Sequence, residues 1–452
     1  MNELRAQSLF AVFGIGAVYA CLWSMFYTGA LSPETTEYQN VVVWAVIATN
    51  TIQIPFFLLF VFLKRIPKTL LLTLSVMCTI SFIAYYFLSS KTPFLHTTFL
   101  YISSTMFGLF RPMVVIAWFD YMFSFNYREV QRCSAAAICF ASALVLLLMS
   151  LNQFSSNIIV SFLPLLSAVA YVWGDREHKS KSVFVLDNHK ETLITIKSIS
   201  KSFLLVILVV SIANGYIRGI NVFGEPHGSV LVFSAMCLCC AVLPFIKTMK
   251  SIYYISIVSI VIGLNILLVS EYTISYSLIG FGQISLSVIG WMACVAFAKK
   301  SSVRPGIIGG FVWSVLTLGQ VLGTVLGVLS KTQTYAELSF SVIIPLFIEI
   351  CVILVLLLTV NKPFLSLIHI EEQNIEKASD YANRISAVKE QYRLTPREME
   401  IFEMLAYGRN SRYIESKLNI SPNTVKTHIR NIYIKTGSAN HQELLSIIEG
   451  TE

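Results

Sequence analysis

Residues 394–448 read LTPREMEIFEMLAYGRNSRYIESKLNISPNTVKTHIRNIYIKTGSANHQELLSII, and they differ from the rest of the chain in being polar and rich in helix-boundary residues. Thr395, followed by a proline and by Glu398 three positions later, has the pattern of a capping box at a helix start. Gly408 is the residue type that most often ends a helix. Ser421, again followed by a proline, begins a further helix. The segment is therefore predicted to fold as several short helices.

The third of these helices is predicted to have one apolar face and one polar, basic face. Val425, Ile429 and Ile432 recur at helical spacing and form the apolar stripe. The opposite face carries short polar and basic side chains, which suit the start of a helix that enters the major groove of DNA. Lysine and arginine can donate hydrogen bonds to guanine or to phosphates. The predicted DNA-binding residues are Asn423, Thr424, Lys426, Thr427, Arg430 and Arg412, with Arg409, Lys417 and Lys435 adding charge for phosphate contacts.

Many residues at fixed spacing make this segment specific. It resembles the C-terminal four-helix domain of LuxR-type transcription regulators. The resemblance implies that the third helix reads the major groove and that the fourth helix pairs two domains, with Leu444 and Leu445 as candidate dimer contacts. Thr436 and His441 depart from the residues usual in that family. The matching residues are 394–398, Leu405, Ala406, Gly408, Ile414, Leu418, Ile420, Ser421, 424–426, His428, Asn431, Ile432, Lys435, Gly437, Glu443 and Leu444.

The rest of the chain has the composition of a membrane protein. Of 452 residues, 55% are hydrophobic and only 13% are charged, and the mean hydropathy is +0.70. A soluble protein carries about 25% charged residues. The formal net charge is +8. Because the tail from Asn361 onward is nearly neutral, the excess positive charge lies in the membrane part, and the whole-chain charge does not itself indicate DNA binding.

About twelve apolar stretches are long enough to span a bilayer, at roughly 20 residues each. They predict an all-α fold with a polytopic helix bundle at 1–360. Its two sets of six helices, at 1–173 and 202–360, flank a predicted cytoplasmic loop at 174–201. Two sets of six helices around a long loop resemble the major facilitator architecture.

The charges between the apolar stretches alternate in sign. Basic clusters follow the even-numbered stretches, whereas the other loops carry mostly glutamate. Because basic loops stay in the cytoplasm, both termini are predicted to be cytoplasmic, in the compartment that holds DNA. The predicted location is the inner membrane of a bacterium. The basic residues are Lys64, Arg65, Lys68, Arg128, Arg132, Arg176, Lys179, Lys181, Lys190, Lys197, Lys201, Lys247, Lys250, Lys299, Lys300 and Arg304.

A connector helix is predicted at 361–393, before the helix-turn-helix domain at 394–452. Between Ile368 and Tyr392, apolar residues fall mostly at heptad a and d positions. The pattern suits a short coiled coil that sets the spacing of two DNA-binding domains. It suits slightly better a single amphipathic helix packed on its own domain.

Three ionisable residues interrupt the apolar stretches: Arg111 in the fourth, Arg218 in the seventh and Glu349 in the twelfth. Charged groups are costly inside a bilayer and usually face a cavity or a partner. One interpretation is a ligand pocket between the two halves, in which an arginine binds an anionic group. The alternative is internal pairing, for instance of Glu349 with an arginine. Both alternatives remain open from the sequence.

The leading functional hypothesis is a membrane-embedded one-component transcription regulator, in which a ligand bound by the helix bundle changes DNA binding by the tail. The alternatives are a transporter that carries a regulatory DNA-binding tail, and a bundle that is only an anchor. The predicted partners are double-stranded DNA, an unknown small-molecule ligand, the lipid bilayer and a second copy paired through the C-terminal domain. No catalytic grouping, metal-ligand spacing or cofactor motif is evident, so the chain is predicted not to be an enzyme.

Overall fold

The computed structural model consists of helices throughout the residues that it describes. These are 2–27, 36–61, 63, 66–88, 93–177, 199–221, 226–246, 249–269, 272–301, 303–332, 340–359, 384–385, 388, 391–408 and 410–450. The chain forms two compact units, Met1–His369 and Ile370–Glu452.

The first unit is a bundle of long apolar helices. The first six are α1 (Asn2–Tyr27), α2 (Thr36–Val61), α3 (Lys68–Leu88), α4 (Pro93–Met122), α5 (Tyr127–Ser150) and α6 (Gln153–Glu177). The next six are α7 (Lys201–Asn221), α8 (Pro226–Leu238, continued by a 3-10 helix at Cys239–Phe245), α9 (Met249–Leu268), α10 (Tyr272–Ser301), α11 (Pro305–Thr332) and α12 (Phe340–Thr359).

Ten of these helices are long and apolar enough to cross a membrane. The other two, α2 and α8, contribute shorter apolar stretches over the described residues, Trp44–Phe60 and Val232–Leu243. The protein is therefore a multi-pass membrane protein, and the predicted all-α membrane bundle is confirmed. The number of full-length spans found among the described residues is ten, against the twelve predicted.

Helices α7 and α11 pack backbone against backbone. A methyl group added at Gly215 would overlap the carbonyl of Gln320, and one added at Gly323 would overlap the carbonyl of Ile212. Glycine at such positions lets two membrane helices approach more closely than any side chain would allow. This contact holds the second half of the bundle together.

Polar bonds join the two halves where α4 ends and α11 begins. The guanidinium of Arg304 lies 2.5 Å from the carboxylate of Asp120, and its Nε donates a hydrogen bond to the same group over 2.7 Å. Asp120 also accepts a hydrogen bond from the backbone N–H of Gly306. Nearby, Lys299 donates to the carbonyl of Phe125 over 2.6 Å. These bonds connect the two halves at this end of the bundle.

From Pro396 onward, the described residues of the second unit form the helices α13 (Pro396–Ala406), α14 (Ser411–Leu418), α15 (Pro422–Thr436) and α16 (His441–Gly450). Its apolar core also includes Ile385 and Val388, with Tyr392 packed against it. The end of the predicted connector therefore packs on the DNA-binding domain, as the amphipathic alternative expects. Residues 361–383, where the coiled-coil pattern mainly lies, are outside the described residues.

Candidate DNA-binding face and intramembrane cavity

The boundaries of α14 and α15 are set by local hydrogen bonds. The side chain of Asn410 accepts a hydrogen bond from the N–H of Tyr413 over 2.9 Å, and Ser421 accepts one from the N–H of Thr424 over 3.1 Å. Between these helices, Asn419 adopts a left-handed conformation with φ of +52°, which asparagine tolerates better than most residues. These features produce a tight turn that sets α15 against α13 and α14.

One side of α15 is exposed and basic. Val425 and Ile432 on its other side are fully buried in the core, so the predicted amphipathic pattern places the polar side chains outward. The hydroxyl of Thr427 donates to the carbonyl of Asn423 one turn earlier, over 2.9 Å. The exposed residues include all the predicted DNA-binding positions: Asn423, Thr424, Lys426, Thr427 and Arg430 on α15, and Arg412 on α14.

An ion pair inside the domain was not foreseen from the sequence. Glu398 is 4% exposed and accepts hydrogen bonds from the N–H of Thr395 over 2.9 Å and from Lys435 over 2.6 Å. Burial by itself raises the pKa of Glu398, but the bonds from Lys435 and Thr395 outweigh it and hold the pKa below its ordinary 4.5. Lys435, predicted to add charge for DNA phosphates, instead joins α15 to the start of α13.

Helix α16 places the two candidate dimer contacts differently. Leu444 has no exposed surface and belongs to the core, whereas Leu445 is partly buried against it. A fully buried side chain cannot contact a second domain without repacking, so the dimer prediction on this helix narrows to Leu445. His441, which differs from the residue usual in the LuxR-type family, places its Nε2 2.8 Å from the carbonyl oxygen of Leu405.

Comparison with known families identifies the second unit. Residues 392–448 match the model described as bacterial regulatory proteins, luxR family. The predicted LuxR-type domain is thus confirmed. The chain is 47% identical over 53 residues to the monoamine regulon transcriptional regulator of Klebsiella aerogenes. The alignment covers 12% of this chain and 23% of that protein.

A longer relative is more distant. The HTH-type transcriptional regulator MalT of Vibrio cholerae is 33% identical over 82 residues, or 18% of this chain and 9% of that protein. The chain thus spans less than a quarter of the length of either of these curated relatives. The two alignments cover 53 and 82 of the 452 residues.

The membrane unit has the fold of transporters. A bacterial homologue of the iron transporter ferroportin, in an outward-facing state with soaked iron, aligns over 78% of this chain and 98% of its own, with a TM-score of 0.50 and 11% identity. The Major Facilitator Superfamily transporter FucP aligns over 79% of this chain and 97% of its own, with a TM-score of 0.48 and 10% identity. At such low identity the likeness is one of fold alone.

A small cavity lies between the two halves of the membrane unit. Its free volume is about 10 Å³, which is roughly the room needed for one water molecule. Tryptophans from both halves surround it, and Trp291 stacks on Phe119 with ring centres 3.7 Å apart. The indole N–H of Trp291 also donates to the hydroxyl of Tyr19 over 3.2 Å. The lining residues are Ile15, Val18, Tyr19, Leu22, Arg111, Val115, Trp118, Trp291 and Trp313.

Arg111 is the charged residue of this cavity. It is 4% exposed, and its Nη1 donates to the side-chain oxygen of Gln53 over 2.6 Å. Arg218 of α7 is close enough to act electrostatically on Arg111. No carboxylate pairs with Arg111 in the part of the chain that the structure describes. A buried cation without a counter-charge costs several kcal/mol, so an anion entering the cavity would offset that cost.

Glu349 does not belong to this cavity. It lies partly buried in the middle of α12 and accepts a hydrogen bond from the side chain of Asn265 on α9 over 2.7 Å. The predicted grouping of Glu349 with Arg111 and Arg218 is therefore not what the structure shows. The residues around Glu349 are apolar on every side of α12. The sequence of this helix therefore does not show whether Glu349 faces the cavity or the outside of the bundle.

Proposed function

We propose that this protein is a membrane-embedded one-component transcription regulator. The observation that supports this most strongly is the exposed basic face of a LuxR-type domain on the same chain as a transporter-like membrane unit. A domain that binds DNA and a bundle that can bind a ligand are then linked without a partner kinase. The protein is proposed to act by binding, without enzymatic activity or a cofactor.

In this proposal α15 enters the major groove of double-stranded DNA. Lys426 and Arg430, both exposed, donate to guanine or to phosphates, and Thr427 contacts a base edge. Asn423 and Thr424 lie at the helix start, where the backbone of DNA passes, and Arg412 adds a phosphate contact from α14. Two copies of the domain pair through α16 near Leu445 to read two half-sites.

The proposed location is the inner membrane of a bacterium, with both termini in the cytoplasm. The inter-half bonds of Arg304 and Lys299 lie at loops that are basic in sequence. Basic loops are retained in the cytoplasm, so the end of the bundle at which these bonds lie is assigned to the cytoplasmic side. The test is a pair of reporter fusions at the C-terminus: phosphatase activity there, rather than cytoplasmic fluorescence, would overturn the orientation.

The proposed signal is a small anionic molecule bound by Arg111 between the halves. Since the cavity holds about one water in this conformation, binding of a larger molecule requires the halves to rearrange. A ligand that prefers the rearranged state shifts the population toward it. This differential binding is what would link the membrane unit to DNA occupancy.

The central experiment measures DNA occupancy by the full-length protein in its own membrane. Chromatin immunoprecipitation locates the bound sites, and a promoter reporter built on one site is then tested with Arg111→Gln. We expect the signal response to be lost while protein level and basal DNA binding persist. Arg132→Gln, at an exposed arginine of α5, is the matched control and should leave the response unchanged. An unchanged response in both variants would refute sensing at Arg111.

A transporter that carries a regulatory tail is the second candidate, and the fold likeness to the ferroportin homologue favours it. A sensor binds its ligand without moving it, whereas a transporter moves it across the bilayer. Counterflow of the ligand in proteoliposomes of the full-length protein distinguishes the two.

A further inference from the structure

Gln53 of α2 is the residue to which Arg111 donates a hydrogen bond. It has no exposed surface, and its side-chain oxygen accepts from Nη1 of Arg111 over 2.6 Å. Because a guanidinium only donates hydrogen bonds, the oxygen of the Gln53 carboxamide must face Arg111. The nitrogen of the same group, Nε2, is buried and has no hydrogen-bond partner in the part of the chain that the structure describes. Gln53 therefore holds a buried donor that the protein itself does not use.

This unused donor lies close to the guanidinium. The nitrogen and oxygen of one carboxamide are roughly 2.3 Å apart, so Nε2 of Gln53 is at most about 5 Å from Nη1 of Arg111. Helices α2 and α4 also pack tightly one turn away. A methyl group added at Gly108 would come within 3.1 Å of the carbonyl oxygen of Thr49. This packing keeps the helix that carries Gln53 next to the helix that carries Arg111.

The two groups together define what a ligand must supply. A buried N–H group without an acceptor is unfavourable, and so is a buried guanidinium without a counter-charge. One ligand group that offsets both must be negatively charged and must accept at least two hydrogen bonds. A carboxylate meets both conditions, because each of its two oxygens can accept from a different donor.

The walls of the cavity narrow the choice of anion. Apart from Arg111 they consist of aliphatic residues, three tryptophans and Tyr19, and the hydroxyl of Tyr19 already accepts a hydrogen bond from Trp291. A phosphate or sulfate would place further oxygens against apolar walls without donors, which is unfavourable. A halide ion has no apolar part to contact those walls. A monocarboxylate places its oxygens on the two donors and its hydrocarbon part against the walls.

We propose that the cavity takes an apolar monocarboxylate, whose oxygens accept hydrogen bonds from Arg111 and from Nε2 of Gln53. The inference rests on the proposed anion site and names the chemical class of its ligand. Gln53 determines the specificity of the site, because it adds a second donor without adding a charge. Gln53→Glu would instead supply the counter-charge from the chain itself and leave no place for the anion.

The test is a titration of the full-length protein in lipid nanodiscs with sodium butyrate. It is followed by tryptophan fluorescence, because Trp118, Trp291 and Trp313 line the cavity. We expect butyrate to bind more tightly than phosphate or chloride at the same ionic strength, by about tenfold or more. 1-Butanol, which has a similar hydrocarbon chain without the carboxylate, should not compete. Equal binding of phosphate or chloride, or no response to butyrate, would overturn the proposal.

Two variants at Gln53 separate the second donor from the counter-charge. Gln53→Leu removes the donor and should weaken butyrate binding by about tenfold. Gln53→Glu has nearly the same size, should pair with Arg111 and should abolish butyrate binding. It should also raise the melting temperature of the full-length protein, because the buried guanidinium then has a counter-charge. Butyrate binding at the native level or tighter in either variant would overturn the proposal.

Gln283→Leu is the matched control. Gln283 is also a buried glutamine of a membrane helix, its nitrogen donates to Ser211 over 3.5 Å, and it is not among the residues that line the cavity. Its replacement should leave butyrate binding unchanged. An equal loss in Gln283→Leu and Gln53→Leu would overturn the proposal, because it would show that any buried glutamine has the same effect.

The promoter reporter tests regulation separately from this site. If butyrate binding changes in the Gln53 variants as expected while Arg111→Gln leaves the reporter response unchanged, the carboxylate site is retained and the regulatory function is refuted. If Arg111→Gln abolishes the reporter response while Gln53→Leu binds butyrate as the native protein does, the regulatory function is retained and the role of Gln53 is refuted.

Discussion

The buried ion pair of the LuxR-type domain leads to a quantitative prediction about stability. Glu398→Ala removes the bond from Lys435 and the cap on the N–H of Thr395. A hydrogen bond to a charged group contributes about 1.5–3 kcal/mol and a capping interaction about 1 kcal/mol. Lys435 is partly exposed, so the lower end of the range applies, and we expect a loss of about 2–3 kcal/mol.

That loss is large for a small domain. For 60–100 residues, each kcal/mol lowers Tm by about 4–8 °C, so Glu398→Ala should lower it by about 10–20 °C. The measurement is thermal unfolding, followed by circular dichroism, of the unit Ile370–Glu452, which has its own core. Glu398→Gln keeps an acceptor for Thr395 and should cost about half as much.

The control lies two residues further along the same helix. Glu400 pairs with Arg397 over 2.6 Å, but its side chain is 54% exposed, and exposed pairs contribute about 0–1 kcal/mol. Glu400→Ala should therefore change Tm by only a few degrees. Equal losses in Glu398→Ala and Glu400→Ala would refute the reasoning that burial gives the Glu398 pair its weight.

The pH dependence follows from the lowered pKa of Glu398. A carboxyl whose pKa is depressed in the folded state contributes stability above its unfolded pKa, and that contribution is lost as the pH falls through the folded pKa. The gap in stability between the native unit and Glu398→Gln should thus be full at neutral pH and shrink below about pH 4.5. A gap that stays constant to pH 3 would contradict the assignment.

Three further predictions concern other parts of the chain. Lys426→Ala and Arg430→Ala should each weaken specific DNA binding by about 1–3 kcal/mol, measured by fluorescence anisotropy, while Tm stays near the native value. Gly323→Leu should prevent folding of the membrane unit, seen as loss of the monodisperse peak in size-exclusion chromatography, because its side chain would overlap the backbone of α7. Asp120→Asn should lower the thermal stability of the full-length protein, and adding Arg304→Gln should recover part of the loss, because a buried cation is then no longer left unpaired.

Local patterns were sufficient to predict the LuxR-type domain. The caps at Thr395 and Ser421 and the stop at Gly437 depend on residues within one turn of each other, so the sequence displays them directly. The pairing of Glu398 with Lys435 does not have this property, because 37 positions separate the two residues. Only the packing of α13 against α15 brings them together. For that reason the sequence alone predicts Lys435, a basic residue near the end of α15, as a phosphate contact rather than as the partner of Glu398.

The sequence predicts which stretches of the membrane unit form helices. It does not predict which side of each helix faces lipid and which side faces the interior of the bundle. Composition alone predicts twelve spans, because an apolar length of about 20 residues is sufficient to cross a bilayer, and ten of them are found at full length among the described residues. The orientation of each helix about its own axis is harder to infer, because a helix that is apolar on every side does not show which side faces lipid. Arg111 lines the cavity between the halves, whereas Glu349 lies on the outer surface with Asn265.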